Sequence, residues 1–197
     1  RFMIPIALLE NKAKALRGSS RLFERPLTVY EDVFEKNAIG YERGDEFITI
    51  DGALKSGDYS LPANVSSQFI TGLLFALPLC DGDSVIKILP PFESASYGDL
   101  TLQALIDSGI EVARDGNNFH IKGNQKYISP ENLTVDGDWS NSAFFLVAGA
   151  VKNSVTLTGL DVDSPQGDKK ITDIIKKFGG NVALDSNITI KESNLLG

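Results

Sequence analysis

The feature that most limits what this chain can become is an internal repeat at a spacing of roughly 65 to 75 residues. GDYSLPANVSSQFITGLLFALPL, from Gly57, runs beside ENLTVDGDWSNSAFFLVAGAV, from Glu131. In each, a short strand (Tyr59 to Leu61; Leu133 to Val135) is expected to lead through a polar turn into an apolar helix. The second halves also correspond, with GDSVIKIL and SYGDLTLQALIDSGIEVARDGNNFHIKG against KNSVTLTGL and QGDKKITDIIKKFGGNVALDSNITIKES. Both predict strand, helix, glycine turn, strand, tight turn, strand. Gly109 and Gly179-Gly180 stand where a helix must end in a left-handed cap. Asp115-Gly116-Asn117 and Asp185-Ser186-Asn187 separate alternating runs, as hairpin loops do.

A third copy opens the chain without its first strand. It predicts a helix from Phe2, a strand from Ala13 to Arg17, a helix from Leu27 to Lys36, and a hairpin of Ala38 to Tyr41 with Phe47 to Ile50. The repeating unit is therefore βαβαββ, an α/β fold. Its strands have one apolar face and its helices are apolar around much of their circumference. Each unit must lean on its neighbours, with helices buried inside and sheets facing water. Three such units would close one domain. The chain starts at Arg1, and RFMIPIALLE reads as the middle of an apolar helix with no cap before it, so a fragment is expected.

Charge and composition remove several function classes. Lys plus Arg number 19 against 26 Asp plus Glu, and the net charge of -7 disfavours nucleic acid and acidic membranes as partners. One cysteine, Cys80, permits no internal disulfide, and with one histidine, His120, leaves too few ligands for a His/Cys metal cluster. The longest apolar runs, Phe69 to Cys80 and Ala143 to Val151, fall short of the roughly 18 to 20 residues that span a bilayer. A cytoplasmic protein is expected.

Chemistry-bearing residues collect at helix starts. Asn64-Val65-Ser66-Ser67-Gln68 opens one helix and Glu93-Ser94-Ala95-Ser96-Tyr97 precedes another. Free N–H groups and the positive end of the helix dipole suit such termini to anions, and hydroxyls add donors without charge. The plainer reading is that Ser and Asn only cap, although Gln68 has no capping duty. Arg25, in Glu24-Arg25-Pro26, sits before a proline suited to the first helical position. It either pairs with Glu24 or another surface carboxylate, or offers a planar fork to a carboxylate or phosphate.

RLFERPL, SLPANVSSQFITGLLFALPL, ESASYGDLTLQAL, FHIKGNQKY, VDGDWSNSAFFLVAGA and SPQGDKKI, in this order, resemble the 5-enolpyruvylshikimate-3-phosphate synthase family across nearly the whole chain. The resemblance implies two lobes of three βαβαββ units each, in an inside-out α/β barrel. It implies transfer of the enolpyruvyl group of phosphoenolpyruvate to the 5-hydroxyl of shikimate 3-phosphate, with no cofactor or metal, by a monomeric full-length enzyme. Carried over by position, Ser66, Ser67, Gln68 and Ser94 would hold shikimate 3-phosphate and Tyr97 would line its site. Arg25 would grip phosphoenolpyruvate, and Arg1 would be structural. Ala95-Ser96 departs from the basic residue and proline of many members.

The family's acid/base groups do not fall within this chain, so no catalytic residue is assigned and the fragment alone is expected to be inactive. The resemblance puts the lobe crossover near Asp136 to Trp139. Residues 1–136 would then be two units of the shikimate 3-phosphate-binding lobe, and 137–197 the first unit of the opposing lobe. Two alternatives are weighed. A UDP-N-acetylglucosamine enolpyruvyl transferase would need a reactive cysteine in a mobile loop, whereas Cys80 follows an apolar helix. A non-catalytic repeat scaffold would use the serines only as caps.

Overall fold

The structure is a computed structural model that describes residues 1–62, 66–90 and 95–196. It divides into two compact units, Arg1–Pro130 and Glu131–Gly197.

The first unit holds two copies of the repeat. Its opening copy runs α1 (Met3–Ala7), β1 (Lys14–Arg17), α2 (Ser20–Phe23), α3 (Thr28–Asn37), β2 (Gly40–Arg43) and β3 (Phe47–Asp51). These strands form an antiparallel sheet of order β1-β3-β2. The next copy runs β4 (Asp58–Pro62), α4 (Ser67–Ala76), a 3-10 turn at Leu77–Leu79, β5 (Ser84–Leu89), α5 (Ala95–Asp107), β6 (Val112–Asp115) and β7 (Asn118–Ile121). Here the order is β4-β5-β7-β6, with β4 parallel to β5 and the other pairs antiparallel.

The second unit contains α6 (Trp139–Val151), β8 (Val155–Leu157), a 3-10 turn at Gly167–Lys170, α7 (Ile171–Lys177), β9 (Asn181–Leu184) and β10 (Ile188–Lys191). Its antiparallel sheet has the order β8-β10-β9, the same three-strand arrangement as β5-β7-β6 and β1-β3-β2.

The repeat is written most clearly in how its second helix ends. After α3, α5 and α7 the chain makes the same pair of backbone bonds: Ile39 N to Phe34 O with Ala38 N to Glu35 O, Ile110 N to Leu105 O with Gly109 N to Ile106 O, and Gly180 N to Ile175 O with Gly179 N to Lys176 O. Each is a Schellman closure, which satisfies carbonyls the helix leaves open. It needs a left-handed residue, supplied by Gly109 (φ 75°) and Gly179 (φ 82°) as expected, and in the first copy by Ala38 at φ 56°. Ala38 therefore caps α3 rather than opening a strand, and β2 begins only at Gly40.

The layering follows the expected inside-out plan. In α4, Phe69, Ile70, Thr71, Gly72, Leu73, Leu74 and Ala76 are all buried, so the helix is enclosed on nearly every side. The strands bury one face only: Tyr59 and Leu61 of β4, Ile86 and Ile88 of β5, and Phe119 and Ile121 of β7 point inward, with their neighbours toward water. The second unit has its own small core of Trp139, Leu146, Ala150, Leu160, Ile175, Ile188 and Ile190.

The strand expected at Leu133 to Val135 does not form. Those residues are exposed, and the chain after them is held instead at Gly137, whose N–H donates to Gly159 O and whose carbonyl accepts from Gln166 Nε2 at 2.9 Å. In the first unit, β4 pairs with five residues of β5 while burying Tyr59 and Leu61 in the core, where the Tyr59 hydroxyl donates to Asn37 Oδ1 of α3 at 3.1 Å. Leu133 and Val135 find no comparable core to enter, and pairing alone does not offset the cost of ordering the backbone.

Candidate functional site

Residues 63–65 and 91–94 lie outside the described residues. Ser94, expected to hold shikimate 3-phosphate with Ser66 and Ser67, is among them.

Ser66 is the N-cap of α4, extended at φ -172° and ψ 131°, and its Oγ accepts the Gln68 N–H at 3.4 Å. The contact is long, and it uses the oxygen as an acceptor, so the Ser66 hydroxyl proton stays available to an anion. Neither α4 nor α5 carries an acidic residue in its first turn, so no carboxylate there opposes the positive end of either dipole.

Ser66, Ser67, Gln68 and Tyr97 line one open depression of about 420 Å³, with Thr71 and Thr101 between the two helices. Tyr97 is half exposed at the start of α5. Four of the residues singled out in the sequence thus come together at adjoining helix starts.

Gln68 also borders a second cavity, which Arg1, Arg17 and Arg25 line. The turn that carries Arg25 is fixed through its backbone. Arg43 Nη2 donates to Arg25 O at 3.0 Å and also to Phe23 O, and Arg1 Nη2 donates to Pro26 O at 3.1 Å. The Arg1 guanidinium lies 4.9 Å from the centre of the Phe69 ring, a cation–π contact that ties this turn to α4. Burial, with the positive Arg25 nearby, lowers the Arg1 pKa from its ordinary value. Arg1 thus holds the turn in place. Arg25 itself is exposed and forms no ion pair among the described residues, neither with Glu24 nor with another carboxylate.

Arg17, Thr71 and Thr101 escape sequence reasoning. Thr71 leaves one signal, a polar residue inside an otherwise apolar helix. Arg17 leaves none, being an exposed charge at a strand end.

Cys80 is buried, its Sγ 3.7 Å from Leu54 O and 3.8 Å from Ala76 O, and desolvation pushes its thiol up to about 11. A thiol so rarely ionised makes a poor nucleophile. Among the described residues no group of His, Cys, Asp or Glu could hold a metal ion, and no helix is long and apolar enough to cross a membrane.

Repeated α/β units with apolar helices packed inside one-faced sheets, α4 enclosed on nearly every side among them, and uncharged donors gathered at the starts of α4 and α5 define an enolpyruvyl transferase-like inside-out α/β protein. Residues 1–195 match the family EPSP synthase (3-phosphoshikimate 1-carboxyvinyltransferase), and the chain belongs to that family.

Similar curated proteins include the 3-phosphoshikimate 1-carboxyvinyltransferase of Clostridium novyi (strain NT), 44% identical, with 100% of this chain and 46% of the relative covered. That of Brachyspira hyodysenteriae (strain ATCC 49526 / WA1) is 42% identical, with 100% and 47% covered. The chain spans about half the length of the curated relatives it matches.

Among solved structures, an EPSP synthase from Acinetobacter baumannii superimposes with a TM-score of 0.74 at 22% identity, covering 98% of this chain and 45% of that one. The enolpyruvyl transferase NikO from Streptomyces tendae gives 0.72 at 15% identity, with 98% and 46% covered. At such identities the likeness establishes the fold.

Proposed function

We propose that the protein to which this chain belongs transfers the enolpyruvyl group of phosphoenolpyruvate to the 5-hydroxyl of shikimate 3-phosphate, releasing inorganic phosphate. The observation that carries this reading is the depression shared by Ser66, Ser67, Gln68 and Tyr97, in a chain that matches the EPSP synthase family over residues 1–195. Shikimate 3-phosphate is the ligand assigned to it, with Ser94 as a further phosphate donor. Arg25, tethered by its carbonyl and unpaired at its guanidinium among the described residues, is assigned to phosphoenolpyruvate.

In the reaction a proton adds to the methylene carbon of phosphoenolpyruvate while the 5-hydroxyl attacks C2 and loses its own proton. The resulting tetrahedral adduct then gives back a proton from the new methyl group as phosphate leaves C2. This chain's part is to gather two anions. Helix-start N–H groups, hydroxyls and an arginine fork hold them in fixed geometry, and positioning of that kind removes much of the entropic barrier.

We assign 1–136 to the shikimate 3-phosphate lobe and 137–197 to the first unit of the opposing lobe. The proton-transfer groups belong to the part of the protein beyond this chain, and the full-length enzyme is a cytoplasmic monomer that needs no cofactor. The buried, poorly ionised Cys80 argues against a chemistry built on a reactive cysteine.

Steady-state kinetics of Arg25→Ala and Arg25→Lys in the full-length enzyme test the assignment. A surface ion pair is worth about 0 to 1 kcal/mol, whereas a desolvated clamp should cost on the order of 2 to 5 kcal/mol of transition-state stabilisation. Lys should restore only part of it, because it keeps the charge without the fork. The loss should fall on the phosphoenolpyruvate terms. Wild-type efficiency in Arg25→Ala rejects the clamp, and an equal loss for both substrates rejects the division of labour.

A further inference from the structure

Two threonines meet where α4 and α5 pack. Thr71 Oγ1 and Thr101 Oγ1 are 3.0 Å apart, and Thr101 Oγ1 donates to Tyr97 O at 2.9 Å. A threonine hydroxyl has one proton. With that of Thr101 committed to the Tyr97 carbonyl, the proton between the two oxygens belongs to Thr71. The bonds therefore run in one direction, from α4 through Thr101 to the backbone of Tyr97, a residue of the depression itself.

Both threonines are nearly removed from water, at 8% and 6% exposure. The helix seam around them is apolar, and valine would fill the same volume without desolvating a hydroxyl. A paired buried hydroxyl adds little net stability over an apolar substitute, so stability is a poor reason for two of them to face each other. What valine cannot supply is direction. A hydrogen bond holds two helices at one register, whereas apolar contact tolerates sliding. Ser66, Ser67 and Gln68 stand within about a turn and a half before Thr71, and Tyr97 about one turn before Thr101, so the register of this pair sets the spacing of the two helix starts.

We propose that Thr71 and Thr101 are positioning residues, whose mutual hydrogen bond fixes the Ser66–Gln68 turn against Tyr97 for the binding of shikimate 3-phosphate. The inference rests on the binding reading of the preceding section.

The test is calorimetric titration of shikimate 3-phosphate into the full-length enzyme and its variants, with thermal melting in parallel. Thr71→Val and Thr101→Val should each weaken binding by about five- to twentyfold, the span expected for losing one positioning hydrogen bond. Thr71→Ser and Thr101→Ser, which keep the hydroxyl, should bind within about twofold of the parent. The double variant Thr71→Val/Thr101→Val separates positioning from stability. It leaves no orphaned hydroxyl, so its melting temperature should return toward that of the parent while its affinity stays low. Recovery of affinity together with stability would reduce the pair to a packing feature. Parent-like affinity in both single valine variants overturns the inference and leaves the binding reading intact, whereas no saturable binding by the full-length parent overturns both.

Discussion

α4 and α6 hold the same place in successive copies of the repeat and are both strongly apolar, yet they have opposite surroundings. α4 is enclosed on nearly every side, while α6 buries Trp139, Leu146, Gly149 and Ala150 and leaves Phe144 and Phe145 exposed at 75% and 61%. α1 and α5 pack against α4, and α7 packs against α6. One βαβαββ copy cannot cover both sides of its own first helix. Enclosure comes from the neighbouring copy, and the second unit holds only one. The same shortage explains why β4 forms and Leu133–Val135 does not: a strand is worth ordering where its inward side chains have a core to enter.

Truncation inside the two helices should expose this contrast most strongly. Leu73→Ala, in the middle of α4, should cost about 2 to 5 kcal/mol of unfolding free energy, because it opens a cavity the enclosed helix cannot collapse. Phe144→Ala should shift stability by no more than about 0.5 kcal/mol despite removing a larger side chain. Urea denaturation followed separately for each unit, with Trp139 fluorescence reporting on the second, measures both. Equal losses would mean that α6 is as enclosed as α4 in solution.

The helices also share a glycine at a close approach. A Cβ on Gly72 would meet the Tyr30 hydroxyl and lie 3.3 Å from the Phe2 backbone, and one on Gly149 would lie 2.9 Å from Val155 Cβ and 3.0 Å from its backbone nitrogen. Gly72→Ala and Gly149→Ala should each destabilise their own unit by about 1 to 3 kcal/mol, through overpacking, although alanine favours helix. Here the two regions should behave alike, since the crowding comes from within each. A neutral Gly149→Ala in thermal unfolding would show that β8 yields where α1 does not.

Most of the architecture was legible because the repeat states it three times: periodicity and hairpin turns agree in each copy, and glycine caps in the second and third. The failures fall where the meaning of a local pattern depends on a distant neighbour. Leu133-Thr134-Val135 alternates like a strand, but nothing in those residues says whether a core will lie beneath them. Ala38 carries no hint of a left-handed conformation, which the Schellman bonds to Phe34 and Glu35 impose. In the site, hydroxyls at helix starts were readable because capping and anion binding favour the same residues. Thr71 and Thr101 were not, because their meaning lies in a contact 30 positions apart in the chain.

The three Schellman closures give a smaller comparison. Gly109→Ala places a side chain at φ 75° and should cost about 1 kcal/mol. Ala38→Gly relieves the corresponding strain in the first copy and, after the added freedom of the unfolded chain, should gain up to about 1 kcal/mol. Differential scanning calorimetry reads both signs. A destabilising Ala38→Gly would show that the Ala38 methyl contributes packing that outweighs its backbone strain.

The smallest effect on stability separates capping from binding. Asp138 caps α6 with two contacts, accepting Ser140 N–H at 2.8 Å and Asn141 N–H at 3.3 Å, whereas Ser66 caps α4 through the one 3.4 Å contact to Gln68 N. Asp138→Ala should therefore cost about 1 kcal/mol, within the range for charged or polar caps, and Ser66→Ala only a few tenths, about the least such a cap is worth. If Ser66 is only a cap, its removal should be nearly silent in every assay. If it also donates its free proton to the phosphate of shikimate 3-phosphate, Ser66→Ala should weaken that ligand by about tenfold or more, the value of a hydrogen bond to a charged group, while melting barely moves. Asp138→Ala should do the reverse, lowering melting and sparing affinity. Paired melting and titration of the two variants decide between the readings: a Ser66→Ala chain that loses stability and affinity in proportion is a broken helix start, and one that loses affinity alone has lost a ligand contact.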